Sequence, residues 1–295
     1  MDGSFLKSGM DLFNSDVFSE VMVLYTTTTQ NCTLQSVRET YQYYLELGDK
    51  RVEEWPLMGS PFPTIVLTAL YLAMCRFGPR IVPKSGVPWD LRPFIVGYNL
   101  VNIVLNGYIA LELFESTRTF NWVCEPVNYS SDPASVRVAA ALWWYYASKC
   151  FEFLDSFFFV LRGKTGQLSF LHVYHHSTMF MLWWIGIKYV AGGSSIFGAF
   201  FNSIVHVFMY SYYLIAALGP AYKRYLGWKQ YLTIGQMLQF ILAIVMGLNA
   251  LRVQCDFPLW MQYAMIAYMV SFLVLFGNFY VNEYRRKSKS KSKRN

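Results

Sequence analysis

Gln167-Leu168-Ser169-Phe170-Leu171-His172-Val173-Tyr174-His175-His176 decides how this chain is read. It holds three of the chain's four histidines. It also opens an apolar run, about 168–188, close to the roughly 20 residues that cross a bilayer. On a helix, His172, His175 and His176 stand at i, i+3 and i+4 and share one face. Imidazoles in hydrocarbon are costly, so ionisable groups inside a span mark functional sites. The chemistry expected here is histidine chemistry inside a membrane.

Working outward, six further apolar stretches lie at about 62–82, 94–114, 138–161, 196–218, 231–250 and 260–281. The first opens on Pro61 and Pro63 and is interrupted by Arg76; the 138–161 stretch is interrupted by Lys149, Glu152 and Asp155. The 295 residues are 55% hydrophobic and only 15% charged, against about 25% charged in water-soluble domains. No P-loop, GxGxxG, CxxC pair or internal repeat is present in the sequence. Helices satisfy their own backbone in lipid. The expectation is an all-α polytopic bundle of seven transmembrane helices over 61–282. Residues 1–60, polar and without an apolar signal-peptide core, form a lumenal N-terminal segment, and 283–295 a basic cytosolic tail.

Orientation follows the cations. With the C-terminus cytosolic, that side holds Arg76, Arg80, Lys84, Arg92, Arg162, Lys164, Lys223, Arg224, Lys229 and the tail cluster. The lumenal side keeps fewer, as the positive-inside rule asks. The net charge of +7 is mostly tail charge and speaks to orientation and lipid headgroups rather than nucleic acid. Asn31-Cys32-Thr33 and Asn128-Tyr129-Ser130 are sequons on the expected lumenal side. Asn31 is the expected glycosylation site, because Asn128 sits close to a helix start. The tail's Lys291 and Lys293 have the KxKxx form of a retrieval signal for the endoplasmic reticulum. Cys124 and Cys255 both fall in lumenal loops and are expected to pair, with Cys32 a competing partner. Cys75 and Cys150 read as small buried hydrophobes.

Four stretches carry polar stripes. Lys149, Glu152 and Asp155 are spaced by three. Their two readings are a structural ion-pair network and a substrate-positioning one. Asn202, His206, Met209/Tyr210 and Tyr213 share a face, and Thr233, Gln236 and Gln239 are again spaced by three. With the histidines, these faces converge on a polar centre opening into apolar space lined by Phe, Trp, Met and Leu. The bland alternative, helix-joining hydrogen bonds, is worth about 0.6 kcal/mol each and does not call for four histidines. Clustered histidines also suit zinc or iron. Histidine can equally carry an acyl group and move protons near neutral pH, in a site that excludes water.

Four motifs, in order, resemble the ELO-type very-long-chain fatty acyl elongases over about 50–285. Lys149–Ser156 resembles KxxExxDT, with Ser156 keeping the hydroxyl of the usual threonine. Gln167–His176 resembles QxxFLHxYHH, Asn202–Tyr213 resembles NxxxHxxMYxYY, and Thr233–Phe240 resembles TxxQxxQF. Asp49–Leu57 and Gln167 point to the animal very-long-chain and polyunsaturated branch. The resemblance implies a 3-oxoacyl-CoA synthase that condenses acyl-CoA with malonyl-CoA, using no cofactor beyond its two substrates and no metal. His175 would attack the acyl thioester. His206 would act as acid–base or orienting partner, and His172 and His176 would position the groups. Lys149, Glu152, Asp155, Gln167, Asn202, Tyr210, Tyr213, Gln236 and Gln239 would bind substrate, and Lys223, Arg224 and Lys229 the nucleotide phosphates. The implied partners are the reductases and dehydratase that complete the cycle. A homo-oligomer is left open. The competing readings are a metal-dependent lipid oxidase, an acyltransferase to an alcohol, and a proton-sensing transporter or lipid receptor.

Overall fold

The computed structural model describes residues 34–286, so Asn31, Lys291 and Lys293 lie outside the described residues. The chain divides into two compact units, Met1–Gly48 and Asp49–Asn295. Of the first, helix α1 (Leu34–Glu46) is described. The second begins at Asp49, so Asp49–Ser60 is grouped with the helices that follow it. Val52 and Met58 in this stretch are fully buried.

The body is all-helical among the described residues. Its helices are α2 (Phe62–Ile81), α3 (Arg92–Thr117), α4 (Pro133–Phe151) and α5 (Phe153–Leu161). Then come α6 (Phe170–Tyr189), α7 (Ser195–Ala217), α8 (Lys229–Arg252) and α9 (Leu259–Tyr280). Local chemistry sets the starts. Asp132 caps α4 by accepting from Ala134 N and Ser135 N at 2.9 and 3.1 Å, ahead of Pro133 at the first helical position. Ser169 caps α6 by accepting from His172 N at 3.3 Å. The histidine helix therefore begins after Gln167, which lies in a 3-10 turn.

Five helices are long and apolar enough to cross a membrane, among the described residues: α2, α3, α7, α8, and α9 with the turn that follows it. The other two expected spans fall below that standard. The 138–161 stretch falls on two helices, α4 and α5, divided at Glu152, and α4 carries Arg137 and Lys149. The other, α6, carries three histidines and Lys188. The division at Glu152 is mild, because its φ −65° and ψ −14° keep the chain near helical geometry.

α3 and α7 pack along their length, α8 and α9 form a second pair, and α6 lies against α2 and α4. Loops gather at two ends. One end joins 49–61, 118–132, 190–194 and 253–258. There a disulfide links Cys124 and Cys255, with Cα atoms 5.4 Å apart, and Ser194 N donates to Glu125 O at 2.9 Å. At the other end, Val87 N donates to Leu161 O at 2.8 Å and joins the α2–α3 loop to the end of α5.

Candidate active site

The polar stripes do converge. Glu152, at the division between α4 and α5, is fully buried, and its Oε1 accepts from Lys149 Nζ at 2.7 Å and from His206 Nδ1 at 3.0 Å. Lys149 Nζ also reaches Asn202 Oδ1 at 3.2 Å and lies 4.4 Å above the Tyr145 ring. Tyr145 donates to the same Asn202 oxygen at 2.7 Å. A buried carboxylate between two nitrogen partners is a compensated charge; removing either partner would leave it stranded. His206 Nδ1 is thus engaged with Glu152, with Lys149 Nζ 3.5 Å from the same nitrogen, and Nε2 is the ring nitrogen left outside this contact. Asp155 takes a different partner, accepting from Tyr210 Oη at 2.9 Å.

The histidines of α6 split between two neighbourhoods, since i, i+3 and i+4 span a broad arc of the helix. His172 Nε2 meets Ser156 Oγ at 2.8 Å, and Ser156 in turn meets Tyr71 Oη at 3.0 Å. His176 lies beside His172, ring centroids 4.3 Å apart, and is buried. His175 faces the other way. Its ring neighbours are His176 at 5.1 Å, Phe272 of α9 at 5.2 Å and His206 at 6.4 Å. It lines a largely apolar cavity of about 210 Å³ with Asn202, Gln239, Phe240 and Phe272; the other three histidines do not. Among the described residues, no three His, Cys, Asp or Glu side chains converge to hold a metal ion.

A buried carboxylate–histidine pair beside a second histidine, at the head of an apolar cavity, suits chemistry on a long aliphatic substrate. Residues 56–292 match the ELO family, described as GNS1/SUR4. The chain belongs to the GNS1/SUR4 family. It is 48% identical over 261 residues to "Very long chain fatty acid elongase 4" of Homo sapiens, covering 88% of this chain and 83% of the relative. It is 41% identical to "Very long chain fatty acid elongase 7" of Drosophila melanogaster, over 83% of this chain and 76% of that one. The "Very long chain fatty acid elongase 5" of Bos taurus is 40% identical, over 87% and 85%.

Not every expected residue joins the centre of this GNS1/SUR4 protein. Gln167 is exposed in its turn, ahead of the histidine helix. Tyr213 is 38% exposed and touches the centre only through Tyr210, ring centroids 6.1 Å apart. Gln236 approaches Met209 Sδ at 3.8 Å, and Gln239 reaches the cavity wall. Lys223 and Arg224 share the 3-10 turn Pro220–Tyr225, with Arg224 donating to Tyr225 Oη at 2.7 Å. Lys229 is paired with Glu283 at 3.5 Å.

Sequence reading missed a stripe on α3. Tyr98, Asn102 and Asn106 are buried, and the Tyr98 ring meets Tyr210 of α7 at 6.0 Å. In an antiparallel pair that register sets Asn102 and Asn106 toward the His206 and Asn202 level. Each asparagine amide donates to the carbonyl one turn back, Asn102 to Tyr98 and Asn106 to Asn102, both at 3.0 Å. Their spacing of four was the available signal. Tyr145 and Tyr71 were missed for another reason: aromatic residues in an apolar run read as core.

Proposed function

We propose that this chain is a membrane-embedded very-long-chain 3-oxoacyl-CoA synthase, condensing acyl-CoA with malonyl-CoA. The observation that carries the reading is the position of His175, the one histidine of four that lines the apolar cavity. In a first half-reaction its unprotonated imidazole nitrogen attacks the thioester carbonyl. The C–S bond breaks, and CoA leaves and takes up a proton. In the second, malonyl-CoA loses carbon dioxide to give an enolate. The enolate carbon attacks the acyl carbon, the C–N bond breaks, and the leaving imidazole nitrogen takes up a proton, so that His175 is regenerated as 3-ketoacyl-CoA departs.

The surrounding groups have supporting roles. His206, with Nδ1 held by Glu152, presents Nε2 to the proton transfers. His176 meets the His175 ring edge-on and helps to fix it, and His172, beside His176, supports that ring in turn. The apolar cavity holds the acyl tail and keeps water from the acyl-imidazole, so the cavity serves as the acyl tunnel. Lys223 and Arg224 hold the nucleotide phosphates, with Lys229 contributing less because Glu283 competes for it.

The reading extends to topology. α4 with α5, and α6, complete a seven-span bundle in the endoplasmic reticulum, since their ionisable groups face one another and not lipid. The N-terminus is lumenal and the C-terminus cytosolic. Polyunsaturated as well as saturated acyl-CoAs are accepted, and the reductases and dehydratase of the cycle act on the product.

The test is a microsomal assay with radiolabelled malonyl-CoA and a panel of acyl-CoAs. Malonyl-dependent lengthening by two carbons is expected, with loss of at least about a hundredfold in His175→Ala. Acyl-CoA alone should add one acyl mass to the wild-type protein and none to that variant. Acyl transfer to an alcohol without malonyl-CoA, or an adduct that persists in His175→Ala, overturns the assignment.

A further inference from the structure

The cavity that begins at His175 runs toward the disulfide-linked end. Its wall on α8 extends from Gln239 to Ala250, about eleven residues or roughly 16 Å at the helical rise. A bilayer's hydrocarbon core is about 30 Å thick and is filled by two tails end to end, so an ordinary membrane tail spans about 15 Å. The enclosed length therefore fits an ordinary tail. A much longer one has to leave the cavity at its far end.

That end is closed unevenly. Ser195, Phe197 and Phe257 in its wall are buried. Trp122, Val123 and Trp260 line the same cavity and yet are 44%, 46% and 49% exposed, so the wall is one residue thick there. The Trp122 ring lies on Phe197, centroids 4.8 Å apart and 23° from parallel. Two residues on, Cys124 pins the loop's backbone through the disulfide to Cys255. A side chain stacked on one ring, on a fixed backbone and with an exposed flank, can swing without unfolding the loop. A route beyond it is also apolar. Phe200 and Phe201 each lie 6.4 Å from the Trp122 ring, and Phe200 stacks at 6.1 Å on Phe114, which is exposed.

We propose that Trp122 is a displaceable stop for the acyl tail and sets the chain-length dependence of the reaction. Tails of ordinary length end against its ring. Longer tails push it off Phe197 and pass along Phe200 toward Phe114 and the outer surface. The proposal rests on the elongase reading above, and its test separates the two.

The full-length protein in microsomes is given saturated acyl-CoAs from ordinary membrane length to twice that length. In Trp122→Ala the ratio of the rate on the longest to the rate on the shortest should rise about threefold to tenfold, the scale of one lost aromatic stack. An unchanged or lower ratio overturns the stop. Because this variant could fail to fold, the wild-type protein is also photolabelled with acyl-CoAs carrying a diazirine at the methyl end. The ordinary-length probe should label Trp122 or Phe197, and the long probe Phe200, Phe201 or Phe114. Identical labelling by both probes overturns the proposal. Absence of malonyl-dependent lengthening on every chain would instead remove the elongase reading, while the labelling would still decide where a tail ends.

Discussion

The two ends of the helical body are built in opposite ways. At the disulfide end the loops are tied to one another by buried groups. Arg51 is buried beside Asp49, its Nε donating to Asp49 Oδ1 at 3.0 Å. The same guanidinium donates to the carbonyls of Asn128, Ser135 and Ala191, so one side chain joins three segments. The indoles of Trp143 and Trp184 donate to Pro56 O and Leu57 O at 3.0 and 2.8 Å. At the opposite end the connections 82–91, 162–169 and 218–228 carry exposed cations: Lys84, Arg162, Lys164, Lys223 and Arg224. Their ties lie near the surface, as between Gln230 and Tyr280 at 2.6 Å. Buried charge must be compensated from within the protein, whereas exposed charge is left to meet a ligand or lipid phosphate. The difference separates an end tied together from within from one whose charges face outward.

That contrast can be broken first at Arg51. Arg51→Met strands the Asp49 carboxylate and three carbonyls, and a loss of about 3–5 kcal/mol of stability is expected. Thermal unfolding in detergent checks it; a wild-type midpoint would mean that the closed end does not depend on this clamp. Next is the disulfide. Cys255→Ser should cost about 2–4 kcal/mol and broaden the product chain-length distribution, read from the same thermal scan and from product analysis. At the open end the expected effect is on binding. Lys223→Ala with Arg224→Ala should raise KM for acyl-CoA about fivefold, the scale of exposed ion pairs, with no change in unfolding midpoint. A stability loss there comparable with that of Arg51→Met would erase the contrast.

The smallest expected effect sharpens the boundary of the closed end. Asp132 is held well below the usual carboxylate range, first by the Ser130 hydroxyl and then by Ser135. A lowered folded pKa means its stabilising charge is fully present above the unfolded value of about 4 and is lost as pH falls further. Asp132→Ala should therefore lower the unfolding midpoint at pH 7 and at pH 5, with the difference shrinking in stronger acid. A difference that grows in acid would contradict the assignment.

Much of this was legible without a structure. Apolar runs near bilayer length place helices within a few residues, because helix formation in lipid is a local matter of backbone satisfaction. Polar residues three or four apart name the face that must avoid lipid, and so Lys149, Glu152, His175, Asn202 and His206 could be grouped from sequence. The α3 stripe was open to the same argument. The start of the histidine helix, just after Gln167, was also close to readable, because Ser169 supplies its cap.

The sequence by itself determined the helical class, the polar stripes and the family motifs, since each depends on residues close together along the chain. Only the tertiary structure decided which partners those stripes choose: Glu152 with Lys149 and His206, Asp155 with Tyr210, His172 with Ser156. It alone decided that His175, among four histidines, borders the cavity. The physical reason is the same in each case. Periodicity fixes a direction around one helix axis, but which group meets it depends on the rotation and register of a neighbouring helix, set by packing between segments far apart in the chain.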